Sequence, residues 1–328
     1  MKHSILTLTA AALAASSILA GGAQAQEVKA TFGSIFSPTV PIVQCGALEL
    51  EKDQALKDAG FQVAVVHSAQ LGSENQLAEQ ISSGELEMST ITSSILAAWV
   101  DKLAVLETYY LYDNIDQAMK VYDTDTAREL TQELLDVANI RVIGKPWLYG
   151  ERDVFGKKDI EGPDDFPGMR LRVPETTVSI EGAKSLGAEP TPVAYSELYI
   201  ALQQGIVEGA EAPLAVIAAE SFDEPADYVI MTRHLISAQP FVVNEDFWQS
   251  LSEKQQQALE KAAVDGSKRV RECSEKADKA ALEKWAGNGE VKVIETVDRE
   301  AIKKKSQAYF SDQYEFGETY KKLLEELK

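Results

Sequence analysis

Apolar runs alternate with amphipathic stretches through most of the chain. Ala30 to Ile35 and Val63 to His67 carry strand patterns, and Ile42 to Asp58 between them predicts a helix closed by Gly60. Glu74 to Ser83 predicts a helix stopped by Gly84, followed by a strand over Leu86 to Ile91, a helix over Ala127 to Val137 and a strand over Ile140 to Ile143. After Trp147 the pattern restarts with Asp153 to Gly156, a polar loop through Pro163 and Pro167, a strand Arg170 to Val173 and a helix Thr177 to Leu186 ended by Gly187. A helix Ser196 to Gln204, closed by Gly205, precedes a short buried strand at Val207 to Ala210. The last third is helix-rich, with Glu253 to Trp285 broken only at Gly266. There is no internal repeat, low-complexity block or long linker, so two α/β units follow one another and the chain is expected to cross between them, which favours a hinge.

At 328 residues the chain has room for about two domains. Lys and Arg total 32 against 52 Asp and Glu, a net charge of -20 that repels a phosphate backbone and excludes nucleic acid as a partner. Residues 1–25 read as a secretory signal: Lys2 is the positive start, Ile5 to Ala20 the apolar core, and Ala23-Gln24-Ala25 the small-x-small cleavage site. Export across the inner membrane to the periplasm is the expectation. Cys45 and Cys273 then meet an oxidising compartment, which leaves open a disulfide or two separate buried thiols. His67 and His234 have no evident metal or catalytic partner in the sequence, and no Cys/His zinc pattern occurs.

Arg172 closes a strand that Pro174 stops, and Thr176 suits the N-cap of the next helix. A guanidinium beside a helix N-terminus can hold a carboxylate in a bidentate fork. Spacing alone also allows a surface arginine paired with one of the many carboxylates.

The segments Gly168 to Pro174, Leu186 to Pro192, Tyr195 to Gly205 and Val207 to Pro213 closely resemble the solute-binding proteins of TRAP transporters, of the C4-dicarboxylate-binding type. Ser68 to Gly72, Glu79-Gln80 and Gly84 to Met88 extend the resemblance over essentially the whole chain after the signal. The resemblance implies a two-domain α/β periplasmic binding protein, type II-like, with a hinge and an interdomain ligand cleft. It places domain I at 26–149 plus about 238–278 and domain II at 150–237 plus about 279–328, with the C-terminal helices able to pack back on domain I.

By the same resemblance Arg172 binds the ligand carboxylate and Arg152 also faces the ligand. Tyr195, Thr92, Trp147, Tyr149 and the loop from Ser34 to Thr39 are cleft-facing, each with packing as its alternative. Glu211 is expected to orient an arginine or to cap a loop. Ala212 stands where the family often has a ligand-binding asparagine, and alanine has no side-chain hydrogen bond to offer.

The implied function is an extracytoplasmic receptor, not an enzyme, that captures a small organic acid and delivers it to the membrane subunits of a TRAP transporter, as a monomer and without a cofactor. C4-dicarboxylates, sugar acids, aromatic acids and 2-oxo acids are the candidate ligands, with a lean to sugar acids because Trp147, Tyr149 and Tyr195 would suit a sugar ring. Presentation of the ligand to a membrane sensor kinase is an alternative. A periplasmic hydrolase is disfavoured because no Gly-x-Ser-x-Gly elbow occurs.

Overall fold

The computed structural model describes residues 27–328, so the signal segment 1–25 lies outside the described residues. Among the described residues nine strands form one mixed sheet: β1 (Val28–Gly33), β2 (Phe61–Val66), β3 (Met88–Thr90), β4 (Ile140–Gly156), β5 (Arg170–Val173), β6 (Glu189–Pro192), β7 (Gly209–Pro213), β8 (Tyr228–Asn244) and β9 (Lys292–Ile294). Their order is β2-β1-β3-β8-β4-β7-β5-β6, with β9 beside β8. At one end β1 pairs in parallel with β2 and β3; at the other β5 pairs in parallel with β6 and β7. Between these ends run the antiparallel 17-residue strands β4 and β8, which belong to both. The architecture is the two-domain α/β fold of periplasmic binding proteins.

Local chemistry explains most elements. Helix Glu74–Ser83 opens with a capping box between Ser73 and Gln76, buries Leu77, Ala78 and Ile81, and ends at Gly84 in the left-handed region at φ 81°. Thr176 caps helix Thr177–Leu186, which buries Val178, Ala183 and Leu186 and stops at Gly187. No described helix is long and apolar enough to cross a membrane.

Three sequence expectations are corrected. The helix expected over Ile42 to Asp58 is divided, because Asp53 leaves helical geometry at ψ 118° and uses its side chain to accept from the Leu56 N–H at 3.0 Å, starting a new helix at Gln54. The strands expected at Ile140 to Ile143 and Asp153 to Gly156 are one strand, β4, whose middle the sequence reading left unassigned. Gly266 does not break the long helix, which runs Glu253–Asn288 and spans about 54 Å at 1.5 Å per residue.

The reason for Gly266 is Trp147. A Cβ on Gly266 would lie 2.4 Å from Trp147 Cζ2, and one on Gly46 would lie 2.4 Å from its Cζ3. The indole fills the slot between them, stacks on Phe32, and donates its N–H to the Ala263 carbonyl at 2.8 Å. Close to this slot Cys45 and Cys273 are joined as a disulfide with Cα atoms 6.4 Å apart.

The long helix holds both ends of the sheet. Gln255 Nε2 donates to Ala59 O at 3.2 Å, while Asp278 accepts from the Ala215 N–H at 2.8 Å and Trp285 Nε1 donates to Asp223 at 2.7 Å. Helix Arg299–Asp312 packs on helix Thr177–Leu186, with Ser306 and Ser185 hydroxyls 2.7 Å apart. The last helix, Gly317–Glu326, turns back to helix Asp125–Ala138, where Thr126 Oγ1 donates to Glu326 at 2.8 Å.

Candidate functional site

A cavity of about 520 Å³ opens between the two ends of the sheet, and residues from both line it. Ile35, Phe36, Glu74, Thr92, Glu107 and Tyr109 come from one side. Arg172, Pro174, Glu175, Ser179, Val193 and Tyr195 come from the other. The crossing strands contribute Tyr149 and Arg152 from β4, and Leu235 and Gln239 from β8.

Arg152 and Glu211 meet because their strands are antiparallel neighbours. Arg152 faces Pro213 and Val154 faces Glu211, so Arg152 and Glu211 are diagonal neighbours on one face of the sheet. Nε of Arg152 donates to Oε2 of Glu211, and Nη2 donates to Oε1 at 2.6 Å and to the Glu211 carbonyl at 3.0 Å. Burial pushes the Glu211 carboxyl up, but Arg152 and His234 outweigh it and hold the group at about 2.

A bulge brings His234 to the same carboxylate. Between the pairs Arg152/Leu235 and Val154/Ile230, Asp153 alone on β4 faces residues 231–234 on β8. Asp153 accepts from the Arg233 N–H at 2.8 Å, at a residue with φ 43°, and the Tyr110 N–H donates to His234 O at 2.7 Å. Val154 N–H donates to Thr232 Oγ1 at 3.2 Å, and Thr232 Oγ1 lies 2.8 Å from His234 Nδ1. With the Thr232 proton on that bond, Nδ1 accepts and Nε2 carries the proton that faces Glu211 Oε2 at 3.4 Å. Burial lowers the His234 pKa, against the pull of Glu211, so the ring is neutral near pH 7.

Arg172 differs. It is 3% exposed on β5, and its Nε and Nη2 donate to the Val193 carbonyl at 2.9 and 2.6 Å. Among the described residues it forms no ion pair. Burial lowers its pKa, with Glu211 acting in the opposite sense and Arg152 in the same one. A guanidinium keeps its charge through such a shift, so a buried cation faces the cavity with no anion of its own.

Aromatic rings form one wall. Phe36 stacks on Tyr149 at 4.9 Å and meets Tyr195 edge-on at 5.3 Å, and the Arg152 guanidinium lies 5.3 Å from the Tyr149 ring centre. Thr92 donates its N–H to Glu74 at 2.7 Å.

Three residues expected in the cleft do not line the cavity. Trp147 is wholly buried in the slot described above. Ala212 lies in β7 opposite Asp153 and packs into the core. Ser34 turns its hydroxyl to accept the Phe36 N–H at 3.3 Å, which leaves Ile35 and Phe36 of its loop facing the cavity.

The chain matches the profile of the bacterial extracellular solute-binding proteins, family 7, over residues 41–316. It belongs to that family. A TRAP periplasmic solute binding protein from Ochrobacterium anthropi with bound L-fuconate is 28% identical and superimposes with a TM-score of 0.83, covering 92% of this chain and all of the other. One from Roseobacter denitrificans with bound L-galactonate is 27% identical, TM-score 0.80, over 91% of this chain and 99% of that one. The sialic acid-binding periplasmic protein SiaP of Vibrio cholerae is 28% identical over 258 residues, 79% of this chain and 77% of its own.

Sequence reasoning missed several groups that line the cavity of this family 7 protein. Glu74 follows the N-cap Ser73 and reads as an acidic residue placed for the helix dipole. Glu107 is a lone carboxylate within the apolar run Leu103 to Tyr112, a signal that could have marked it. Burial pushes its carboxyl up to about 7, while Ser237 Oγ donates to it at 3.2 Å. Gln239 lies in β8 with its amide oxygen and nitrogen both buried and without a hydrogen-bond partner among the described residues, and the Tyr109 hydroxyl is in the same condition.

Proposed function

We propose that this family 7 protein is a periplasmic receptor that captures a sugar acid, holds its carboxylate on Arg172 and delivers it to the membrane subunits of a TRAP transporter. The observation that carries the reading is the buried Arg172 guanidinium, which faces the cavity without an ion pair among the described residues. A carboxylate arriving there gains charge-assisted hydrogen bonds in a site that excludes water. The unpartnered polar groups of Tyr109, Tyr195 and Gln239 suit the hydroxyls of a polyhydroxy acid. The sugar acids bound by the Ochrobacterium and Roseobacter proteins support the same class.

Arg152 acts differently from Arg172. Its fork is occupied by Glu211, which matches its charge and fixes its rotamer, and its face stacks with Tyr149. We assign the parts of the sheet to lobes that meet near 149–150, near 237–238 and near residue 278 of the long helix. The pairing of β4 with β8 slips between Ile143 and Trp147, between Leu148 and Gly150, and between Arg152 and Val154, which supports a hinge in these strands. A ligand touching both lobes stabilises the closed form by its differential affinity, and closure is the signal for delivery.

The test is a thermal-shift screen of organic acids with the mature chain, in which a ligand at 100 times its Kd stabilises by about 2.7 kcal/mol. Sugar acids are expected to raise the melting temperature, and Arg172→Ala is expected to abolish the shift while the protein stays folded. A shift that survives Arg172→Ala, or a response confined to uncharged sugars, contradicts the reading.

A further inference from the structure

Resting on that reading, we propose that Glu107 and Gln239 form a second subsite, away from Arg172, that takes hydroxyl groups and makes the receptor select a monocarboxylate over the dicarboxylate with the same carbon chain. Gln239 is fully buried on β8 and lines the cavity, yet neither amide atom has a partner among the described residues. Buried amides are nearly always satisfied, so this one is built for a ligand group that can both donate and accept. Ser237, two residues along the same strand, donates to only one oxygen of Glu107. The rest of that carboxylate stays free to accept from a hydroxyl.

Placement at a separate end follows from the order of the strands. Gln239 lies on β8, as does Ser237, which bonds Glu107, whereas Arg172 lies on β5, with β4 and β7 between the two strands in the sheet. The cavity therefore holds one cation free for a carboxylate and, on the β8 side, the acid Glu107, with the Arg152 charge already matched by Glu211. A ligand whose far end is a primary alcohol meets an acceptor and an amide. One whose far end is a second carboxylate meets like charge in a desolvated site, which costs several kcal/mol. The tool for discrimination is repulsion as much as attraction.

The experiment is calorimetry at pH 8 with acid pairs that differ only in a terminal alcohol against a carboxylate: both enantiomers of galactonate against galactarate, gluconate against glucarate, and threonate against tartrate. Wild type is expected to bind at least one monoacid about 100-fold more tightly than its diacid. Glu107→Gln is expected to narrow that ratio to about 10-fold or less by tightening the diacid. Gln239→Leu, which removes no protein hydrogen bond, is expected to keep the fold and weaken the monoacid about 10-fold. Equal affinity for both members of every bound pair, or an unchanged ratio in Glu107→Gln together with unchanged monoacid affinity in Gln239→Leu, overturns the subsite and leaves Arg172 capture standing. Binding of neither member of any pair overturns the sugar-acid reading and the subsite with it.

Discussion

The two buried arginines of the cavity show how similar burial serves opposite ends. Arg152 is 7% exposed and Arg172 is 3% exposed, and both lie on strands of the one sheet. Arg152 is enclosed by its own protein: Glu211 takes its fork, Tyr149 its face, and His234 braces the carboxylate from behind. Among the described residues Arg172 has only the Val193 carbonyl. Desolvating a guanidinium without an anion costs stability, so the fold carries at Arg172 a penalty that a ligand can relieve. At Arg152 the same penalty is already offset. One position is a finished piece of structure and the other is an open valence.

The same substitution at both positions breaks the comparison most strongly. Arg152→Met strands the Glu211 carboxylate in a dry site and is expected to lower unfolding stability by about 3–5 kcal/mol. Arg172→Met removes an unpaired buried charge and keeps apolar volume, so the unliganded protein is expected to be as stable as wild type or more so. Urea denaturation of the two variants measures this, and equal losses would dissolve the distinction between them.

Gly266→Ala sharpens the contrast from a region with no ligand role. The added methyl meets the Trp147 ring, and overpacking of this kind is expected to cost about 1–3 kcal/mol without a change in affinity. A change in ligand affinity larger than the error of calorimetry would return Trp147 to the binding site.

A further effect is in pH. The Glu107 carboxyl sits at about 7 in the folded protein against 4.5 ordinarily, because burial and the neighbouring Glu74 and Glu211 outweigh Arg152 and the bond from Ser237. The folded state thus holds a proton that the unfolded chain has released, and stability falls as pH rises from about 4.5 to about 7 and then levels off for this group. Asp153, pushed to about 8 by burial, extends the fall with the same sign. Glu107→Gln is expected to flatten the lower part of the curve only; a curve unchanged by that substitution would contradict it.

Much of this was legible in the sequence where the signal is local. Caps at Ser73 and Thr176 and stops at Gly84 and Gly187 mark their helices because a few neighbouring atoms decide them. Local chemistry marks Arg172 as a candidate anion site but equally allows a surface ion pair, and only the family resemblance decides between them and adds Arg152. What stayed hidden depends on distant chain. The middle of β4 and all of β8 have no element assigned from sequence, because both strands are buried along most of their length and bulged, so no alternation survives. Gly266 looks like a helix breaker until Trp147, 119 positions earlier in the chain, is seen to need the space. His234 looks inert in sequence, and only the bulge at residues 231–234 brings it to Glu211.

The most direct test is calorimetry of Arg172→Met with the acid that most stabilises wild type in the thermal screen. The account predicts an affinity at least about 100-fold weaker, the loss of a charge-assisted bidentate contact in a desolvated site, in a protein that melts at or above the unliganded wild-type temperature. Wild-type affinity in that folded variant would contradict it.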